Sequence, residues 1–569
     1  MRYLALACDY DGTIATHGTV SDSTFDALCR AQKSGRRLIL VTGRQLDDLF
    51  CVFPRAEIFD CIVAENGALF YDPRRHREVM LAEPPPEEFI NELRRRGVAS
   101  ISVGKSIVAT WEPHEAAVLE AIHHCGLELQ VIFNKGAIMV LPSGVNKNSG
   151  LRAALSWLGL SVHNTIGVGD AENDHAFLTA CEFSAAVANA LDAVKERVDL
   201  VTEADHGAGV EELITDLLDN DLRQHDRHVR RHDILLGNDA DGNAVRIPPY
   251  DSRLLISGPS GSGKSTIVNA ILERLAQAEY QFCVIDPEGD YENMEYAVTV
   301  GDEEQIPTTA HVLQLLAKTD STVVSMLAVP IADRPAYAAQ LMQRMENAHR
   351  HDGRPHWLLL DEAHHMLPAS WQPAPGTSAR RFASEALVTV HPRSLDPSAL
   401  AAINIAIAVG SNAEQTLEEL SAAFGRPVRP APRPSPAKQG LEMLVWFCRE
   451  SEDAIRVRIE PPEAERRRHR RKYADGDLRE KSFYFRGPQD RLKLRAQNLT
   501  LFLQIAEGVD ADTWLHHLRQ GDYSRWIRTA IKDEILADQI QTIEQAGLPA
   551  GESLARVQAA VERLYTGSA

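Results

Sequence analysis

The sequence predicts a multidomain α/β protein: two successive parallel sheets wrapped by helices, then a small, mainly helical C-terminal segment. Three observations predict it. From Met1 to about Leu222, short apolar runs (YLALA, RLILV, CIVA, TIGV) alternate with amphipathic stretches, the pattern of parallel strands joined by helical crossovers. The alternation restarts at Ile234 and continues to Pro462 through LLISG, FCVID, TVVSM, HWLLLDE and ALVTV. With 569 residues, the chain has room for three or four domains of about 150 residues each.

Within this frame the elements follow in order. A helix is expected from Asp22 to Ser34, stopped by Gly35. The charged stretch DLRQHDRHVRRHD separates the two α/β blocks, and residues 223–233 read as a linker. Five prolines between Pro427 and Pro436 make a stiff loop ahead of two closing strands, LEMLVWFC and AIRVRIE. Six of the seven residues from Arg466 to Lys472 are Arg or Lys, so 463–480 reads as a basic linker, solvated or paired with acidic surface. From 481 to 569 a helical accessory domain is expected, with stops at Gly508, Gly521 and Gly547. Its Trp514, Tyr523 and Trp526 are spaced to pack helices together; stacking of bases is the weaker alternative.

Composition narrows the function classes. Lys plus Arg number 60 against 80 Asp plus Glu, a formal charge of -20, and 44% of residues are apolar. That supplies ordinary cores and excludes both wholesale disorder and a broadly basic coat for nucleic acid. A polyanion contact would have to be local. The eight cysteines show no CxxC pair and read as buried thiols of a reducing compartment. Neither MRYLALACDYD nor ALAAINIAIAVG, which contains Asn404, reaches the roughly 18 apolar residues of a membrane span. A cytoplasmic protein with no membrane partner is expected.

The first chemical constellation is Asp9-Tyr10-Asp11-Gly12-Thr13, directly after the first apolar run. Ligands collect at the carboxyl ends of parallel strands. Two carboxylates two residues apart on such a turn can divide the work: one attacks phosphorus and holds a hard cation, the other gives and takes protons. Thr42-Gly43-Arg44 closes RLILV and offers a hydroxyl and a backbone N–H to phosphate oxygens. Lys147 supplies a compact positive charge, and Gly169-Asp170-Ala171-Glu172-Asn173-Asp174 follows TIGV with oxygen ligands for Mg²⁺. Singly, each is ordinary: an Asp after a strand is often a helix cap, and a lone Lys is usually solvated. It is their joint order along one sheet edge that points to a site.

These residues resemble the haloacid dehalogenase-like phosphatases, in detail the Cof-type or subclass IIB branch. The likeness covers about Met1 to Leu218 and includes Glu65-Asn66-Gly67-Ala68 and Ala186-Val187-Ala188-Asn189-Ala190. It implies a Rossmann-like parallel sheet in residues 1–222 with a small α+β cap over about 69–141, shorter than in large-capped sugar phosphatases and closer to archaeal phosphoglycolate phosphatases. It further implies Asp9 as the nucleophile that forms an aspartyl-phosphate, Asp11 as general acid and base, and Thr42 and Lys147 as holders of the phosphate. Asp9, Asp11, Asp170 and Asp174 become the candidate Mg²⁺ ligands, Asp174 alternatively orienting Lys147 or a metal-bound water.

The second constellation, Gly258-Pro259-Ser260-Gly261-Ser262-Gly263-Lys264-Ser265-Thr266, fits G-x-x-x-x-G-K-[ST] between the strand LLIS and a helix expected over Ile267 to Ala278. Backbone N–H groups from Gly258 to Thr266 would cradle the phosphates of ATP, Lys264 would reach the terminal ones, and Ser265 would ligate Mg²⁺. In HWLLLDEAHHMLP, Asp361 would support that Mg²⁺ and Glu362 would polarise water; His364 and His365 read as surface residues. With Asp286-Pro287-Glu288-Gly289-Asp290-Tyr291 and the intervening strand TVVSM, this order resembles the HerA/FtsK superfamily of P-loop ATPases over about 234–462. The resemblance implies ring-forming homo-oligomers, with Arg380-Arg381 matching a basic pair that completes a neighbour's site. His391-Pro392-Arg393 stands where the family often has Gln-Arg-Pro, so ATP binding is the safer expectation than fast turnover.

Together these readings predict a Mg²⁺-dependent hydrolase of a small phosphorylated metabolite, of sugar phosphate or phosphoglycolate type, fused to an ATP-binding domain that regulates or assembles it. Two alternatives stay open: a HerA-like nucleic-acid ATPase whose phosphatase acts on nucleic-acid ends, and a polynucleotide kinase/phosphatase in which Asp286 would be the kinase base.

Overall fold

The computed structural model describes residues 1–134, 136–226, 228–291, 294–318, 321–371, 382, 384–431, 441–459, 462, 482–531 and 534–562. Arg380-Arg381, the basic run 466–472 and three of the five loop prolines (Pro432, Pro434, Pro436) lie outside them.

The first sheet has eight strands among the described residues, with Ala5–Cys8 between Thr165–Gly169 and Arg37–Val41, all parallel. Phe183–Ala186 and Leu200–Val201 extend it on one side and Cys61–Ala64 on the other. Ala5–Cys8, Cys61–Ala64 and Thr165–Gly169 are buried along their whole length, as strands covered on both faces must be. The expected helix forms as Asp22–Lys33, with Ser21 capping the Thr24 N–H.

One boundary differs from expectation. Leu69–Asp72 and Arg77–Met80, placed in the cap by the sequence reading, form an antiparallel hairpin that adds to Cys61–Ala64 in the core sheet. The cap proper is a four-stranded antiparallel sheet, in the order Ser102–Val103, Val108–Trp111, Ala137–Pro142, Leu129–Asn134, with helices Glu87–Arg95 and Glu115–Cys125. Phe89, Leu93, Val118 and Ile138 give the cap a core of its own.

The stretch read as a linker is tied to the first sheet's domain: Arg231 pairs with Asp199 and donates to Ser184 Oγ, and Asp226 pairs with Arg2. Beyond it lies a sheet of eleven strands among the described residues. The strand Arg253–Ser257, which leads into the glycine-rich loop, is flanked by Ile405–Val409 and Ser384–Thr389, all parallel. Ser384–Thr389 separates it from the acidic strand Trp357–Leu360. Glu442–Phe447 and Ile455–Ile459 form antiparallel strands as expected, with Ile234–Asn238 and Ala244–Ile247 added outside them, and the helix after the loop starts at Lys264, three residues earlier than predicted.

The C-terminal unit opens with an antiparallel strand pair, Phe483–Phe485 with Leu494–Ala496, before its helices begin at Leu499. Trp514 stacks on Tyr523 with ring centroids 4.5 Å apart, Trp514 Nε1 donates to Ser553 Oγ, and Trp526 packs on Phe502. The aromatic trio belongs to this unit's core.

Of the eight free cysteines, Cys8, Cys61, Cys181, Cys283 and Cys448 are buried, whereas Cys51 is exposed and Cys29 and Cys125 are half-buried, a partial departure from the expectation. No helix among the described residues is long and apolar enough to cross a membrane.

Candidate active site

Asp9 follows the central strand Ala5–Cys8, and its N–H bonds to Val168 O on the neighbouring strand at 3.0 Å. The strand end therefore sets its position. Lys147 reaches the same point from the first turn of helix Lys147–Leu158, whose N-terminus is closed by reciprocal bonds between Asn146 and Ser149. A side chain at Gly67 would put its Cβ 1.9 Å from Asn146 O, so a glycine there, at φ +106°, lets that helix start close to the Glu65-Asn66-Gly67 turn.

The lysine is 1% exposed and bridges two carboxylates, its Nζ 2.5 Å from Asp9 Oδ1 and 2.5 Å from Asp174 Oδ1. Asp174 Oδ2 also accepts the backbone N–H groups of Asp170 and Ala171 at 2.8 and 2.9 Å, which folds the loop back toward Asp9. Thr13 Oγ1 lies 3.1 Å from Asp9 Oδ2 and 3.3 Å from Asp170 Oδ1. Ligand atoms of Asp9, Asp170 and Asp174 all fall within 4.8 Å of one another.

The charge balance of this cluster suits a cation. With all three carboxylates ionised, one ammonium leaves two negative charges in a buried place. Burial, then the charge of Asp174, pushes the Asp9 carboxyl above its ordinary range despite Lys147. Burial also works against the Lys147 charge, but Asp174 and Asp9 outweigh it and hold the ammonium above the usual lysine range. A divalent ion would supply the missing two charges, and the all-oxygen donor set suits Mg²⁺.

A raised carboxyl pKa has a definite sign. Between the ordinary carboxylate value, about 4, and its raised value, Asp9 holds a proton that it would release in the unfolded chain. Its contribution to stability without a cation is therefore lost as the pH rises through that window. Mg²⁺ bound on Asp9 would have to displace this proton, so any Mg²⁺ affinity here is expected to climb with pH by up to about tenfold per unit. Calorimetry in buffers of different ionisation enthalpy would register the released proton, and Asp9→Asn should remove both the release and the slope. A flat affinity in the wild-type chain would contradict this.

Asp11 does not join the cluster. Arg44 holds it through two bonds, Nε to Oδ2 at 2.7 Å and Nη2 to Oδ1 at 2.8 Å, while Arg44 Nη1 reaches Asp48 at 2.5 Å. Its donation to the Asp11 carboxylate is the main reason that the guanidinium is held above its ordinary range. The side chain of Asp11, expected as a metal ligand, has both carboxylate oxygens on Arg44. Thr42 is buried at the end of Arg37–Val41, and its Oγ1 accepts the Arg44 N–H at 3.1 Å. Of that triplet, Gly43 and Arg44 line the adjoining cavity.

The cavity, about 660 Å³, lies between core and cap, with Asp9, Asp11, Arg44 and Lys147 on one side and Thr110, Trp111 and Met139 on the other. Glu65 fastens the cap. Its buried carboxylate accepts the N–H groups of Lys105, Ser106 and Ile107 at 2.9, 2.7 and 3.0 Å. Sequence reasoning had Glu65 only as part of a motif, and the Arg44 side chain not at all. A glutamate between a strand end and a glycine was the available signal.

In the glycine-rich loop, Gly263 at φ +99° turns the chain into the helix, and Lys264 Nζ rests on the carbonyls of Gly258 and Pro259 at 3.0 and 2.9 Å. Burial lowers the Lys264 pKa. Asp361 ends its strand buried, pushed up to about 7 chiefly by burial, and burial likewise raises Glu362, which adopts φ +41°. Ser265 is exposed at the helix start. Asp286 is committed elsewhere: its carboxylate accepts the N–H groups of Glu288, Gly289, Asp290 and Tyr291, closing a turn.

Residues 6–96 and 112–214 match the family profile of haloacid dehalogenase-like hydrolases. The phosphoglycolate phosphatase of Methanothermobacter thermautotrophicus is 31% identical over 217 residues, 37% of this chain and 96% of that protein. The chain belongs to the haloacid dehalogenase-like hydrolases. Another relative, the phosphoglycolate phosphatase of Methanosarcina acetivorans, is 36% identical over 225 residues, 39% of this chain and 99% of that protein. The structure of a haloacid dehalogenase-like hydrolase from Bacteroides thetaiotaomicron covers 38% of the chain and 99% of its own, at 18% identity and a TM-score of 0.34. Downstream of the haloacid dehalogenase-like part, residues 250–474 match the profile described as helicase HerA, central domain.

Proposed function

We propose that the chain is a Mg²⁺-dependent phosphatase of a small phosphomonoester, of phosphoglycolate or sugar phosphate type, with an ATP-binding domain that regulates or assembles it. The observation that carries this reading is Lys147 bridging Asp9 and Asp174 beside Asp170 in the cavity under the cap.

In this reading Asp9 attacks phosphorus in line and forms the aspartyl-phosphate. Lys147, held on Asp9 and Asp174, keeps the nucleophile oriented and meets the charge of the phosphoryl oxygens. Asp11 protonates the leaving oxygen and then takes the proton of the water that cleaves the intermediate. Asp9 and Asp170 would hold Mg²⁺, which when bound neutralises phosphoryl charge; Asp174 is spent on Lys147 and its own loop. Glu65 keeps the cap seated, which excludes water. The test is a turnover screen of the full chain over phosphoglycolate, sugar phosphates, nucleotides and 3′-phosphorylated oligonucleotides, with and without Mg²⁺ and ATP. No turnover of any small phosphomonoester would defeat the reading.

Arg44 bears on the substrate class. While it grips both Asp11 oxygens, Asp11 cannot approach a leaving group; a substrate carboxylate offers the guanidinium another partner and frees the acid. Arg44→Gln is therefore expected to lower kcat/KM for phosphoglycolate by about 10–100-fold, the worth of a lost charge-assisted pair. The same variant should not lower turnover of p-nitrophenyl phosphate, which has no carboxylate to draw Arg44 away and whose leaving group needs little protonation; release of Asp11 can only raise it. Equal losses on both substrates would discard this role.

The HerA match favours a second reading, a nucleic-acid-stimulated ATPase with the phosphatase acting on nucleic-acid ends. It predicts ATP hydrolysis that rises on adding DNA and disappears in Lys264→Ala. ATP hydrolysis indifferent to DNA leaves the regulatory role of the nucleotide as the better account.

A further inference from the structure

A second cavity, about 620 Å³, opens where the phosphatase core meets the ATPase sheet domain. On one side it is lined by the last turns of helix Lys147–Leu158 and the loop after it, including Arg152, Ser156 and Leu160. On the other side lie Ala276, near the end of the helix that begins at Lys264, then Tyr280, Arg354 and His356. The two helices whose first residues are Lys147 and Lys264 thus direct their opposite ends to one space.

The junction around it is built. Glu182 of the phosphatase core accepts from Tyr280 Oη at 2.6 Å and from Arg2 Nη2 at 2.8 Å, and His163 bridges Glu182 Oε2 and Ala278 O at 2.9 and 2.8 Å. Arg152 pairs with Glu279 at 2.7 Å, so those two charges cancel. Glu295 stands exposed at the rim.

Arg354 is different. It is 6% exposed, yet among the described residues no carboxylate lies within ion-pair distance; its guanidinium donates to the Leu160 carbonyl alone. Asp352 acts on it only at longer range, its carboxylate accepting the Arg354 backbone N–H at 2.9 Å. His356 adds a donor. The Gln281 N–H points at Nδ1 from 2.8 Å, which fixes the ring hydrogen on Nε2, and that buried Nε2–H has no acceptor among the described residues. A buried cation without a counter-ion is costly to keep. Placed on a cavity wall beside a second unmatched donor, it specifies what is missing: negative charge with acceptor oxygens.

We propose that this junctional cavity binds a small oxyanion, a phosphate or phosphate-bearing molecule, on Arg354. The occupant would touch both catalytic helices at their far ends. The site is distinct from the phosphatase cleft and the glycine-rich loop, neither of which shares a lining residue with it.

The test uses the full chain carrying Asp9→Asn and Lys264→Ala, which blunts the two other phosphate sites. Thermal unfolding is followed while inorganic phosphate or, separately, AMP is titrated. A saturable rise in melting temperature is expected, with the midpoint concentration at least about tenfold higher when Arg354→Gln is added. The ligand with the lower midpoint tells free phosphate from a nucleotide source. A rise that never saturates, or that Arg354→Gln leaves unchanged, is the general effect of a kosmotropic salt and overturns the proposal. Should Arg354→Gln fail to fold, crystals of the parent chain soaked in tungstate decide: anomalous density within hydrogen-bond reach of Arg354 supports the site, and its absence there refutes it.

Discussion

Asp9→Asn is expected to lose phosphomonoester turnover by a factor on the order of 10⁴–10⁶, the usual consequence of removing a covalent nucleophile from otherwise intact machinery. The amide oxygen can still accept from Lys147 and Thr13, so the geometry around the strand end survives. An amide does not attack phosphorus. Because burial and Asp174 already push the Asp9 carboxyl toward its neutral form, the substitution should cost the metal-free fold nothing and even steady it at neutral pH. The readouts are single-turnover phosphate release and hydrogen exchange in Ala5–Cys8 and Thr165–Gly169. Retained turnover within tenfold of wild type would reject Asp9 as the nucleophile.

Lys147→Met should do the opposite to stability while also stopping turnover. Taking away the ammonium drives Asp9 fully to its neutral form and strands Asp174 as an unmatched buried charge beside Asp170, and breaking a buried pair in this way typically costs about 3–5 kcal/mol. Hydrogen exchange should accelerate in the strands that end at Asp9 and Asp170, and in helix Lys147–Leu158. Mg²⁺ should restore part of the protection, since it replaces positive charge at the same oxygens. If Lys147→Met were as well protected as wild type without Mg²⁺, the lysine would have to be solvated, against its 1% exposure. The contrast is diagnostic: one variant removes a carboxyl from a surplus of them, the other removes the ammonium that bridges two of them.

Much of the site was legible because its chemistry is local. Asp9 and Asp11 sit at the end of an apolar run, the glycine-rich loop sits between a strand and a helix, and Asp361 ends HWLLL; each is a short-range pattern that backbone geometry enforces. Three things were not. The hairpin 69–80 reads like any alternating segment, and only pairing with Cys61–Ala64 assigns it to the core sheet. The grip of Arg44 on Asp11 joins positions 33 residues apart, with nothing in either to name the other. The clasp of Glu65 on the cap loop is made to backbone N–H groups, which carry no sequence signal.

What the sequence by itself determined is the set of reactive groups and the strand ends that carry them, since strand periodicity and glycine placement act over a few residues. Only the tertiary structure decided how charge is shared among those groups: which carboxylates face Lys147, which one Arg44 holds, and that Arg354 has no carboxylate partner among the described residues. Electrostatic pairing depends on distance in space and on burial, and neither is written in the order of the residues.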